Sequence, residues 1–315
     1  MTWAKPFDKL MVSRGLVGAR WMIVGVFVLV ITGMGVKEWR SSQLINQPQG
    51  RFNMVMIRPE SELIFVSFDQ TEKSLIMLQF PNQVSINARS SGVYDIASLY
   101  NLGAYQGNGG EFAARKVQGF MRVPVPGYLV LRGKTGQAKS ILRRGLLKTI
   151  FGRAETNLSR FDAAVLWYWA QNYRHREIGE EELIRAAVIE KEQEKMIYHP
   201  ERLQDYVGTR FFDWRIGEEG ITVAVINASG VDGLGNDMAD FLTNLGMDVL
   251  MVRSEQSGQK QTTSLWQVGK EKQIKELNYI FQNLFDFGPP KIEEVRGEYR
   301  SEVLVIVGED AKDLF

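Results

Sequence analysis

Cysteine is absent from the 315 residues, and histidine occurs only at His175 and His199. The first absence excludes disulfides, thiolate zinc sites, iron–sulfur clusters and a cysteine nucleophile; the second excludes a multi-histidine metal centre. A chain without thiols is indifferent to redox state, so cysteine usage does not assign a compartment. An excess of one charge is missing too: 38 Lys and Arg against 37 Asp and Glu leave +1, and no global field draws the chain onto nucleic acid. No repeat or low-complexity segment is visible, and no G-x-S-x-G turn or D-x-D loop positions a serine nucleophile or a calcium ion. What is present is a globular composition, 44% hydrophobic and 24% charged, with length for about two domains and attachments.

Charge is nevertheless segregated along the chain. Trp21 to Val36 reads WMIVGVFVLVITGMGV without a charged residue. At 1.5 Å per residue it spans about 24 Å, and Leu16 to Ala19 lengthen it once Arg20 snorkels to the headgroups. Residues 16–36 are therefore expected to form a transmembrane helix with the lipid bilayer as its partner. Lys5, Lys9, Arg14 and Arg20 stand against Asp8 on the N-terminal side, whereas Lys37 and Arg40 are partly offset by Glu38. The positive-inside rule then puts a tail, 1–15, in the cytoplasm and the bulk outside the cell membrane. No A-x-A cleavage site follows, so a single-pass, retained signal anchor is expected.

Residues 37–51 are polar and read as a linker. The domain expected over 52–195 opens with β-rich runs at 54–57, 63–68 and 74–80, and helical spacing follows over 110–120. VPVPGYLVL (123–131) is extended, since proline disfavours helix at its own position and the one before. From Arg132 to Arg153 there are seven basic residues and no acidic one, with Ile141, Leu142, Leu146 and Ile150 as an apolar stripe. Ser159 and Asp162 have the spacing of a capping box ahead of a helix. A glutamate-rich helix is expected over about 180–195, where it could meet the basic stretch; otherwise that stretch is a basic face for an anionic surface polymer or lipid headgroups. Residues 196–218 read as a connector. The unit at 219–315 has the order β-α-β-β-α-β, a small sandwich, so the class is α/β (α+β).

The most tempting motif for chemistry is NASGVDGLG, 227–235, between a strand and a helix. Asn227, Ser229, Gly230, Gly233 and Gly235 are the candidate ligand-binding residues, because a glycine-rich turn there can aim backbone N–H groups at an anion. Its spacing, G-x-x-G-x-G, matches neither nucleotide-binding fingerprint, so a tight structural turn is the competing reading. No catalytic residue and no metal ligand stand out.

These features in this order resemble the LytR–CpsA–Psr family of cell-envelope proteins. VAVINASGVDGLGNDMADFLTNLGMDVLMV is similar to the start of the LytR C-terminal domain, TTSLWQV to its threonine-led strand and SEVLVIVGEDA to its closing strand. In residues 52–175, IRPESELIFVSFDQTEKSLIMLQFPNQVSI follows the family's first strands and GVYDIASLYNLG its Lys-Ile-Asn-Ala-Ala-Tyr stretch, with Tyr100 and Gly103 retained. The resemblance implies a domain that transfers glycopolymers from a polyprenyl pyrophosphate to peptidoglycan, its arginines and aspartates gripping the pyrophosphate and magnesium. Here Asn82 and Gln83 stand where arginine and aspartate would follow Pro81, and Ala97 where asparagine would. Neutral amides supply neither a bidentate guanidinium nor an anionic ligand for a divalent ion.

The expectation is thus a membrane-anchored, extracytoplasmic, non-catalytic scaffold or binding module of cell-wall assembly. It would have a degenerate transferase-like domain, no cofactor, and wall polymer or envelope proteins as partners. The alternative is a glycopolymer transferase using displaced residues, Arg89, Arg115 or Arg122 with Asp69 or Asp95, and then magnesium. No helix-turn-helix supports nucleic-acid binding.

Overall fold

The structure, a computed structural model, describes residues 38, 42–46, 50–59, 62–88, 92–133, 136–192, 195–211, 217–218, 220–255, 258–266, 281–282, 287–292 and 299–315. The chain separates into compact units 1–42 and 43–315, and the elements below belong to the second. The anchor expected at 16–36 and the cytoplasmic tail lie outside the described residues. Among those described, no helix is long and apolar enough to cross a membrane.

After a short helix α1 (Gln43–Asn46), three strands form an antiparallel meander: β1 (Arg51–Arg58), β2 (Glu62–Asp69) and β3 (Ser74–Gln79). Every residue of β1 is buried, the pattern of a strand covered on both faces. Alternation sorts the side chains into two cores. Val55, Ile57, Leu63, Phe65 and Leu78 face one way; Met54, Met56, Ile64, Val66, Phe68, Leu75 and Met77 face the other. The period-2 geometry of the strand makes this partition unavoidable once both faces are covered.

A hairpin, β4 (Ser85–Ala88) and β5 (Gly92–Asp95), leads to α2 (Leu99–Tyr105) and α3 (Gly109–Met121). Then come β6 (Gly127–Val130), α4 (Ala138–Ile150), β7 (Glu155–Thr156), α5 (Arg160–Asn172) and β8 (Arg174–Ile178). The six-stranded sheet has the order β7-β6-β1-β2-β3-β8, with β6 parallel to β1 and β8 parallel to β3. Ala113, Val117 and Met121 of α3 cover one face, and Ile141, Leu142 and Leu146 of α4 with Ala163, Leu166 and Ala170 of α5 cover the other.

The capping box at the start of α5 forms as its spacing requires. The Ser159 hydroxyl oxygen accepts from the Asp162 amide at 3.0 Å, and Asp162 takes the Ser159 amide in return. The same carboxylate accepts from the amides of Gln43 and Leu44 at 3.0 and 3.2 Å, so one buried side chain also holds the start of α1.

The glutamate-rich helix is shorter than its composition suggests. α6 (Glu180–Arg185) ends where Ala187 takes φ of +55°, and β9 (Ile189–Glu192) and β10 (Lys195–Tyr198) form a hairpin instead. Ile189 must be buried in the first core, and a strand delivers it there. Nor does this segment pair with the cations of α4 among the described residues. Glu182 takes Arg176 at 2.7 Å and Arg210 at 3.6 Å. None of Lys139, Arg143, Arg144, Lys148 and Arg153 forms an ion pair with a carboxylate among the described residues. The segment read as a connector holds α7 (Pro200–Arg210), with Pro200 at its first turn. Leu203, Tyr206, Val207 and Phe211 are buried in the first core, so residues 200–211 complete that domain.

The C-terminal domain is a five-stranded sheet of order β12-β11-β15-β13-β14. Its elements are β11 (Thr222–Asn227), α8 (Leu234–Asn244), β12 (Asp248–Ser254), β13 (Thr263–Trp266), β14 (Lys291–Ile292) and β15 (Val303–Val307). β11 runs parallel to both β12 and β15. Val223, Val225, Val303 and Val305 pack with Leu234, Met238, Phe241 and Leu242 of α8. The expected β-α-β-β start and the closing strand are present; the helix expected over 270–285 lies almost wholly outside the described residues.

Candidate functional site

The glycine turn is stitched together by its own side chains. Asn227 ends β11; its amide donates to the Val231 carbonyl at 2.8 Å, and its oxygen accepts from the Ser229 hydroxyl at 2.6 Å. The Ser229 oxygen in turn accepts from the Val231 amide at 3.0 Å. Gly230 and Gly233 have φ of +75° and +76°, where a side chain is strained. A Cβ on Gly235 would lie 2.9 Å from that of Asn227. The structure therefore brings Asn227, Ser229, Gly230, Gly233 and Gly235 together, and their polar side chains are occupied in holding the turn at the head of α8.

The other segments of this domain that carry the resemblance meet likewise. Thr262, just before β13, donates from amide and hydroxyl to Asp310, at 2.9 and 2.6 Å, and its hydroxyl oxygen accepts from the Gly308 amide at 2.9 Å. The threonine-led strand and the Gly-acid ending are two halves of one clasp.

The residues considered for displaced chemistry are spread over separate partners. Arg51 donates to Asp69 at 2.6 Å in the sheet interior. Arg115 pairs with Glu111 one turn before it on the surface of α3, and Asp95 accepts from the Ser85 hydroxyl at 2.9 Å. Arg89 lies outside the described residues. Pro81, Asn82 and Gln83 form the turn after β3, with Asn82 and Gln83 exposed. His175 is exposed on the edge strand β8, its Nδ1 3.2 Å from Lys139 Nζ, and His199 is 3.2 Å from Glu190. Among the described residues no three acidic or histidine side chains gather as a metal site.

Arg122 marks the place where the two domains meet. It ends α3 with φ of +50°, and its guanidinium donates to both Asp237 and Asp240, one turn apart on α8. Asn244, at the last turn of α8, donates to the Arg122 carbonyl at 3.1 Å and to Gln204 of α7 at 3.0 Å; Gln204 donates to the Phe120 carbonyl at 3.3 Å. Beside this cluster is a cavity of about 310 Å³ whose wall includes Lys116, Phe120, Arg122, Tyr198, Gln204 and Asp237.

Burial governs the proton affinities here. It pushes the Tyr198 phenol up to about 12 although Arg122 opposes the shift. It draws the Lys116 ammonium below its ordinary range against the attraction of Asp313. It raises the Asp240 carboxyl against Arg122, with Asp237 adding to the rise. The pocket combines an aromatic wall, where Phe120 and Tyr198 are 4.7 Å apart, with amide and ion-pair groups. Such a lining suits a neutral polar ligand edge. The sequence singled out Arg122 but not this cleft, because its groups come from three separate segments, 116–122, 198–204 and 237–244.

Residues 220–310 match the sequence family described as LytR cell envelope-related transcriptional attenuator. That match bears out the LytR–CpsA–Psr resemblance where the sequence carried it most strongly. No curated protein matches the chain. Among solved structures, TagT of B. subtilis is similar at 12% identity and TM-score 0.36, covering 50% of this chain and 88% of that one. TagV of B. subtilis is similar at 10% and 0.34, covering 50% and 94%. Lin1025 of Listeria innocua stands at 10% and 0.33, covering 51% and 97%.

Proposed function

We propose that this is a cell-envelope protein held at the membrane by residues 16–36, its folded bulk outside, working as a non-catalytic scaffold or binding module. The LytR-type match over 220–310 supports the envelope role. One observation carries the non-catalytic reading: the charges a pyrophosphate transferase needs are replaced or otherwise engaged. Asn82 and Gln83 are exposed amides, Asp69 is bound by Arg51, and Arg122 is bound by Asp237 and Asp240. An arginine already shared between two carboxylates has little positive field left for a diphosphate, and electrostatic stabilisation of that charge is the main lever such a transfer has. The C-terminal domain, with its turn at 227–235 and the cleft beside Arg122, is the surface we assign to wall polymer or an envelope protein.

The full chain in vesicles should retain isolated wall fragments or a reproducible envelope partner while giving no transfer of a mass-tagged, lipid-linked glycan with magnesium. Turnover that R115A or R122A abolishes would establish the transferase alternative instead. Protease added to intact cells should remove the bulk of the chain; protection until permeabilisation would reverse the topology.

A further inference from the structure

The outward surface of the α4–α5 layer combines three properties: cations, no carboxylate and exposed rings. On α4, Arg144, Leu147 and Lys148 face solvent, and Phe151 continues the same stripe at the helix end. Residues separated by three, four and seven positions share one side of a helix. α5 runs back beside it: Arg143 donates to Gln171 at 2.9 Å near one end, and the Arg160 guanidinium lies against Gly152 at the other. The outward residues of α5 are Phe161, Ala164 and Tyr168, while Asp162 is buried in the capping box. Phe151 is 67% exposed, Tyr168 61% and Leu147 42%. Of the exposed aromatic side chains among the described residues, Phe151, Phe161 and Tyr168 stand in this layer, and Tyr105 lies elsewhere.

Solvation alone would account for the cations but leaves the Phe151 and Tyr168 rings in water. A soluble polyanion would neutralise the cations and still leave Phe151 wet. A bilayer surface satisfies both groups, since aromatic side chains settle at the headgroup level while Lys and Arg meet lipid phosphates. We infer that this face docks on anionic phospholipid headgroups, with Leu147 and Phe151 inserted shallowly and Arg144, Lys148 and Arg153 on the phosphates. The surface belongs to the folded domain, so its docking stands or falls separately from the crossing of a bilayer by residues 16–36.

The absence of cysteine makes the test direct. Ala164→Cys in the full chain carries a polarity-sensitive fluorophore without removing any residue of the proposed contact. The chain is reconstituted into vesicles of phosphatidylcholine alone or mixed with phosphatidylglycerol. Emission should shift to the blue and be quenched by a shallow lipid-borne spin label in the anionic vesicles only. High salt should reverse the effect, and the triple variant R144E/K148E/R153E should weaken it at least about fivefold. Phe151→Ser should lower quenching with the charges intact; all these positions are exposed, and circular dichroism checks the fold. Equal emission in both lipid mixtures would overturn the inference. So would a larger response to soluble polyphosphate than to anionic vesicles, which would make the face a polymer site.

Discussion

Gly119 shows how much one absent side chain can decide. It lies within α3, where alanine ordinarily gains about 0.5–1 kcal/mol over glycine. Yet a Cβ there would sit 2.2 Å from the Leu314 carbonyl oxygen and 2.8 Å from the Phe315 Cα, both backbone atoms. Gly119→Ala should therefore lower stability despite its better helix propensity, and a denaturant titration reads the sign. Tyr198 and Tyr206 give a second residue-scale expectation. Burial raises both phenols to about 12, and a hydrogen bond to Glu182 adds to the shift at Tyr206. The unfolded chain loses these protons near the ordinary value of 10, so the stability they contribute is complete below pH 10 and falls between about pH 10 and 12. Unfolding midpoints followed across that range should drop, and Y198F should flatten the decline.

At the scale of an element, Asp162 ties α5 to α1. Its carboxylate closes the capping box and accepts from the amides of Gln43 and Leu44. Asp162→Ala removes the cap and leaves buried donors without their acceptor, a loss of about 2–3 kcal/mol. Hydrogen exchange should show faster exchange at 43–44 and at the first turn of α5, while β1 to β3 stay protected. This element could be read in advance because a capping box is local: four consecutive residues contain donor and acceptor. The hairpin β9–β10 could not. Its glutamates and lysines favour helix, and only the packing of Ile189 against the first core makes strand the better solution.

For the whole molecule, the Arg122 cluster sets how firmly the C-terminal domain is held to the first. Its guanidinium is one-fifth exposed and the Asp237 side chain only 5%, so Arg122→Ala leaves a buried carboxylate without its counter-ion, at about 3 kcal/mol. Calorimetry should give a single thermal transition for the parent chain and two for this variant. Lysine should not restore the single transition, since a point charge cannot serve both Asp237 and Asp240 as a planar fork does.

What the sequence by itself determined is whatever depends on near neighbours. The β-rich apolar runs at 54–57, 63–68 and 74–80 marked β1 to β3, Ser159 with Asp162 started α5, and the strand–Asn–glycine turn–helix pattern marked the C-terminal domain. Those choices are made within a few residues, by steric limits and local hydrogen bonds. The tertiary structure alone decided the rest: that residues 200–211 finish the first core, that Thr262 and Asp310 close one clasp, that Arg122 belongs to Asp237 and Asp240, and that Glu182 takes Arg176 and Arg210 rather than the cations of α4. Each of these joins groups far apart in the chain, and such a pairing is fixed only when packed layers bring its members within a few ångströms.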